Sequence, residues 1–498
     1  MSTDTSAAPA DHVEGSSTAE ERAGRRSTRL LLIVVVTAIL IMAFNQTFVN
    51  VVVPDIRRDY GATQGQVGWV VTGYLLVLAV GIPLYGRIAD LYSLRRTFAL
   101  GLFFLAAGSL VCALAPSLPL LVAGRILQAA GASAIPALGF AAVAKAMPPG
   151  RRGTALGLLS SSVGAGAAIG PVVGGFVAGL AGWHVLFYLT LLPAALLIPG
   201  ALHALPGVAS AGSRKPAGFM AAVRHFDVPG GLSLALSAGL ALFGVTQGQV
   251  VGFASPVSWG SFVAAGILAA LFVRRIRWAF DPFVSPHLFR NRAFLAASVT
   301  GFFMMFTYVG SLVLVPLLLS EVNGLSAAGI GLVLTPGALV VAVLSPVAGR
   351  LSDRFGPRTL VRGGLGVIGL STLATSAFAA GASSAAVALG VLGLSVGFSM
   401  VNSPNINAAA ASLSRDESGV GLGIYQMLFV LGGGFGPAVA ATFLAARQGA
   451  GTGAINPLFT SNSAPFSDAL LLLTAATVIS FVATFSLKDS AVKGDDNG

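Results

Sequence analysis

Along this chain, long apolar runs alternate with short polar segments, a period far too long for half-buried strands. A helix that crosses a bilayer needs about 20 apolar residues. Runs on that scale occur at 29–54, 67–86, 97–115, 118–144, 154–181, 184–204, 229–250, 258–274, 294–319, 327–348, 361–381, 385–409, 419–446 and 467–487. The pattern predicts an all-α polytopic membrane protein with fourteen transmembrane helices. Residues 1–28 are Ser-, Ala- and Glu-rich and are expected to form a disordered tail, and 488–498 a second one.

Composition agrees with this count. Of 498 residues, 55% are hydrophobic and 9% charged, and mean hydropathy is +0.85; a soluble domain carries about 25% charged residues. The net charge of +11 would suit nucleic acid, but the placement of the basic residues assigns it to the bilayer instead. With the N-terminus inside and the helices alternating, 25 of the 29 Lys and Arg fall on the cytoplasmic side. Only Arg57, Arg58 and Arg447 fall outside, and Arg125 lies within a span. A missed helix would scramble the sides after it, so both termini are expected in the cytoplasm. The "RRSTRLLL" stretch at 25–32 has the look of a twin-arginine signal, but the apolar run after it is long enough to span and lacks a clear cleavage site. Cys112 is the only cysteine, so no intramolecular disulfide and no zinc pattern exists.

A repeat is written into the loops. "GRIADLYSLRR" (86–96) and "GRLSDRFGPR" (349–358) share G-R-x-x-D and lie 263 residues apart. "GAAIGP" (166–171) and "GGGFGP" (432–437) lie 266 apart. Two independent pairs at nearly one offset indicate a duplicated unit. The expected organisation is a six-helix bundle at 29–204, a segment at 205–293 carrying two inserted helices, and a second six-helix bundle at 294–487. Duplicated six-helix halves are a transporter architecture, with the substrate path between them near the midplane.

These residues resemble the major facilitator superfamily, and within it the fourteen-helix drug:proton antiporter-2 family. "GRIADLYSLRR" is similar to the superfamily's loop motif between helices two and three, "RILQAAGASAIP" (125–136) to its helix-four motif, and "GAGAAIGPVVGG" (164–175) to the antiporter signature of helix five. "GWVVTGYLL" (68–76) and "DPFVSPHLFRNRAF" (281–294) resemble further marks of the branch, and "FNQTFVNVVVPDI" resembles the class K/L tetracycline exporters. The resemblance implies the major facilitator fold, alternating access, and export of small hydrophobic molecules against protons.

It also assigns roles to particular residues. Arg87, Asp90, Arg350 and Asp353 would form a conformational latch in the paired loops; the bland alternative is a solvated turn. Arg125, roughly 9 Å in from the outer end of its helix, is tied in the family to proton coupling. A cation at that depth costs about 2.5–3.5 kcal/mol on insertion scales, so a functional reading is the default. The family pairs it with an acid on helix one, yet this chain has Asn45 where the branch carries Asp and Gln46 where the tetracycline exporters carry Glu. Two further membrane Glu of those exporters fall at Ala167 and Gly433. The amides Asn45, Gln46, Asn50, Gln128, Asn402, Asn405 and Gln426 are candidates to line a substrate cavity, satisfy Arg125, or join helices. Acids near the membrane are Asp55, Asp90, Asp227, Glu321 and Asp353. Of these Asp227 is a second coupling candidate, with ordinary helix capping as the alternative. Gly166, Gly170 and Gly174, with Pro171, are expected to let helix five approach a neighbour closely. Around Pro404, Asn402, Ser403, Asn405 and Asn407 form either a polar substrate patch or a repair of the backbone broken by proline.

No G-x-x-x-x-G-K-[ST] and no H-E-x-x-H occurs, so ATP-driven pumping and hydrolysis within this chain are not expected. No enzyme, cofactor or metal is expected. The leading expectation is a bacterial plasma-membrane exporter of small hydrophobic molecules driven by protons. The alternative is a facilitator or importer in the same fold, which neutral residues at the acid positions favour.

Overall fold

The computed structural model describes residues 11–205, 227–279, 282–379, 383–414, 417–450, 453–459 and 463–487. Within these, fourteen helices are long and apolar enough to cross a membrane. They are α1 Thr28–Asp59, α2 Gly65–Ala89, α3 Leu94–Ala113, α4 Leu118–Ala146, α5 Gly150–Ala181, α6 His184–Ala204 and α7 Val228–Val251. The second seven are α8 Pro256–Trp278, α9 Arg292–Glu321, α10 Gly329–Phe355, α11 Pro357–Phe378, α12 Ser384–Ala411, α13 Ser418–Gly449 and α14 Ala464–Ser486. Much of the inner loop expected within 205–293 and the tail at 488–498 lie outside the described residues. The N-terminal tail does not follow expectation over its described part. Helix runs unbroken from Asp11 to Asp59, because no proline interrupts 10–53 and a helix once nucleated adds a bond per residue. Asp55 lies inside that helix.

In each half, one glycine-rich helix presses on the first helix of its bundle. A methyl on Gly166 would meet the Leu40 carbonyl at 2.5 Å, and one on Gly174 would meet the Phe48 Cβ at 2.9 Å. Gly170 faces Thr47 just as closely. The second half repeats this with Gly432 against the Phe302 carbonyl and Gly436 against that of Phe306, joining α13 to α9. With no hydrophobic drive between helices in lipid, such close backbone approach supplies the packing energy.

Two seams join the halves. At one, α5 lies along α10, with Gly153 against Gly349, Gly157 against the Ser345 carbonyl at 2.6 Å, and the Ser161 hydroxyl donating to the Ala342 carbonyl at 2.5 Å. At the other, α2 lies along α13, where a methyl on Gly86 would meet the Gly419 carbonyl at 2.5 Å. Both seams run from the end of the bundle that carries the basic loops, here termed the basic face, toward the middle of the helices. The inserted pair α7–α8 packs on α2 and α13, so it flanks one seam and not the other. Helix α4 breaks at Ser133 into Leu118–Ala132 and Ala134–Ala146, three residues before Pro136, whose missing N–H and ring disfavour a continuous helix. Its basic-face segment touches α13, while its other segment carries Arg125.

Candidate functional site

Arg125 sits in a cage built entirely within the first half. It is 1% exposed. Its Nε donates to the Val70 carbonyl at 3.1 Å, and Nη1 donates to Asn45 Oδ1 at 2.7 Å and Gln128 Oε1 at 2.8 Å. The guanidinium carbon lies 4.1 Å from the centre of the Tyr74 ring. Behind these, Gln128 Nε2 donates to Ser109 Oγ at 2.7 Å, and Asn45 Nδ2 donates to Thr190 Oγ1 at 3.1 Å. Helices α1, α2, α3, α4 and α6 thus converge on one cation. Each partner is neutral, and among the described residues no carboxylate pairs with it. A buried charge without a counter-charge costs several kcal/mol of desolvation that hydrogen bonds offset in part.

The structure brings Asn45 and Gln128 onto Arg125 and leaves the other helix-one amides off it: Gln46 is half-buried and Asn50 exposed. Tyr74, Ser109 and Thr190 were not legible as partners. Only Gln128 carried a local signal, being three residues from Arg125 on one helix face.

A second site joins the halves at the basic face. Asp353 Oδ1 accepts the Gly153 amide at 2.7 Å, and Oδ2 accepts the Thr154 amide and the Thr154 hydroxyl, both at 2.8 Å. An acid on α10 therefore binds the N-terminal turns of α5, where the helix dipole favours negative charge. Beside it, Arg152 Nε donates to Asn407 Oδ1 at 2.9 Å and the Ser403 hydroxyl donates to the Gly153 carbonyl at 3.0 Å. Ser403 and Asn407 on α12 thus join the same inter-half contact. Arg87 and Arg350 stand at the same end of α2 and α10; the Asp90 side chain lies outside the described residues.

The polar run around Pro404 bonds to other helices. Asn405 Nδ2 donates to the Ala297 carbonyl at 2.8 Å and to the Tyr425 hydroxyl at 3.0 Å. Asn402 and Gln426 are buried nearby, and the Asn402 and Asn405 carbonyl oxygens are buried without a partner.

Asp227 takes the capping geometry. Left-handed at φ 46°, it accepts the Gly230 amide at 3.3 Å at the start of α7, Arg275 Nε at 2.9 Å from the end of α8, and the Phe283 amide at 3.0 Å. One carboxylate clamps the inserted pair to the segment after it. The sequence reading also left out two acids at the opposite face. Asp59 accepts Trp183 Nε1 at 2.6 Å. Asp468, 2% exposed, accepts Arg447 Nε at 2.7 Å and the Ile455 amide at 2.7 Å.

Comparison with known proteins fits this architecture. The chain is 30% identical over 421 residues to multidrug resistance protein Stp of Mycobacterium tuberculosis, covering 84% of this chain and 76% of that one. It is 31% identical over 428 residues to the tetracenomycin C resistance and export protein of Streptomyces glaucescens, with the same coverages of 84% and 76%. The crystal structure of the human organic anion transporter MFSD10 superposes with a TM-score of 0.64 at 17% identity, over 93% of this chain and 99% of that one. The family model of the Major Facilitator Superfamily matches residues 35–437. With fourteen spans, duplicated halves joined at one face and that family match, the chain belongs to the Major Facilitator Superfamily of membrane transporters.

Proposed function

We propose that this protein exports small hydrophobic molecules across a bacterial plasma membrane, with the basic face and both termini in the cytoplasm, by alternating access coupled to inward movement of protons. The observation that carries this reading is the Asp353 bridge. The Asp353 bridge and the Gly153–Gly349 and Gly86–Gly419 contacts lie at the basic face, which supports halves closed toward the cytoplasm. The bridge is made of breakable hydrogen bonds between two rigid bundles, which is what a bistable gate requires. Removing the Asp353 charge from the α5 N-terminus would loosen that closure and favour the cytoplasm-open state. The relatives' names, which speak of multidrug resistance and of resistance and export, support outward transport of drug-like molecules.

The neutral cage of Arg125 favours a second reading, a facilitator that moves its substrate without protons. Drug accumulation in exporter-deficient bacteria separates the two. Lower accumulation of at least one compound from an antibiotic panel, reversed by a protonophore, is the expected result. Lower accumulation that ignores the protonophore would replace the antiporter by a facilitator, and unchanged accumulation across the panel would count against drug export.

A further inference from the structure

The Arg125 cage has an unfinished side. Its Nε and Nη1 are occupied, but Nη2 has no hydrogen-bond acceptor among the described residues. The Tyr74 ring lies against the guanidinium, and the Tyr74 hydroxyl is buried and also without a partner. Two unused donors therefore stand on one stacked pair, next to a positive charge that no acid neutralises. Donors without acceptors around an uncompensated cation are complementary to an anion.

We infer that the substrate itself supplies the missing counter-charge: the ligand is a small hydrophobic acid, whose carboxylate or acidic enol pairs with Arg125 Nη2 and the Tyr74 hydroxyl. This rests on the transport reading above and specifies its substrate class. In the state described here the pair is shut. Tyr74 is the group that moves, because its hydroxyl is held by no partner and rotating it breaks no hydrogen bond. Asn45 is the second determinant. Its Oδ1 lies 2.7 Å from Nη1, so an aspartate in its place would put a carboxylate on the guanidinium and make a substrate anion redundant.

The test is equilibrium binding to the purified full-length protein, by fluorescence titration with 1-naphthaleneacetate and, separately, with its methyl ester. A carboxylate paired with the guanidinium, its charge about 4 Å away at an effective dielectric of about 20, is favoured by up to about 1,000-fold before desolvation is subtracted, so a preference of at least about 30-fold over its neutral ester is expected. The wild type should show that preference. Asn45→Asp should reduce it to near unity. Tyr74→Phe, which keeps the ring, should reduce it several-fold. Arg125→Gln should abolish it, and Asn45→Asp carries the test if that variant fails to fold. Equal affinity for acid and ester, no saturable binding of the acid, or an undiminished preference in Asn45→Asp would overturn the inference. Failure of the transport reading looks different: no protonophore-sensitive efflux of any compound. Protonophore-sensitive efflux of neutral drugs together with equal affinity for the acid and its ester would keep export and reject the anion.

Discussion

Replacing Asp353 by Asn isolates the charge of the inter-half bridge. The carboxylate accepts three hydrogen bonds from Gly153 and Thr154, all at 2.8 Å or less. An amide retains one acceptor oxygen and turns two N–H groups toward donors. At least one charge-assisted bond is lost, about 1.5–3 kcal/mol, together with a helix-terminus interaction of about 0.3–1 kcal/mol. The closed state should therefore lose about 2–4 kcal/mol relative to the state open at the basic face, a population shift of about 30- to 700-fold. Spin labels at Arg151→Cys and Arg354→Cys, both exposed, in a Cys112→Ala background would report it. Double electron–electron resonance should show the distance distribution moving to longer values in Asp353→Asn. Transport should fall while membrane levels stay near wild type. An unchanged distribution would refute the argument, since the carboxylate would then contribute nothing to closure.

Three other outcomes follow from the packing and the opposite face. Gly170→Ala places a methyl against Thr47 and should cost about 1–3 kcal/mol by overpacking, read as a lower Tm in detergent, whereas Gly179→Ala, with no heavy atom within 4 Å, should be silent. Asp468→Asn removes the charge that accepts Arg447 Nε and the Ile455 amide, and should cost about 1.5–3 kcal/mol; Asp55→Asn, whose Arg58 partner is 77% exposed, should change Tm little. Burial first, then the negative charge of Asp59, push the Tyr60 phenol above its ordinary 10.0, while its O–H donates to the Ala115 carbonyl at 2.7 Å. Its stabilisation is therefore fully present below pH 10.0 and is lost as pH rises through the folded value. Tyr60→Phe should lower Tm near neutral pH and converge on the wild type in strong alkali.

The fourteen spans and the repeat were legible in the sequence because the bilayer acts on each helix separately. Lipid offers no hydrogen bonds, so every span must close its own backbone and show about 20 apolar residues in a row. The paired G-R-x-x-D loops and the G-P pairs are local strings and survive duplication as such. Proline was a poorer guide. Pro54, Pro171, Pro404 and Pro437 lie inside unbroken helices, whereas α4 breaks just before Pro136, because neighbouring helices decide whether the freed backbone group is satisfied. Tertiary structure alone decided what the charges do. Asp353 meets the amides of Gly153 and Thr154 about two hundred positions away, Asn45 reaches Arg125 across 80, and Asp227 spends its oxygens on Gly230, Arg275 and Phe283. A side chain's apolar character is fixed by its own atoms, but the partner of a polar group is whatever the packed helices bring within about 3 Å of it.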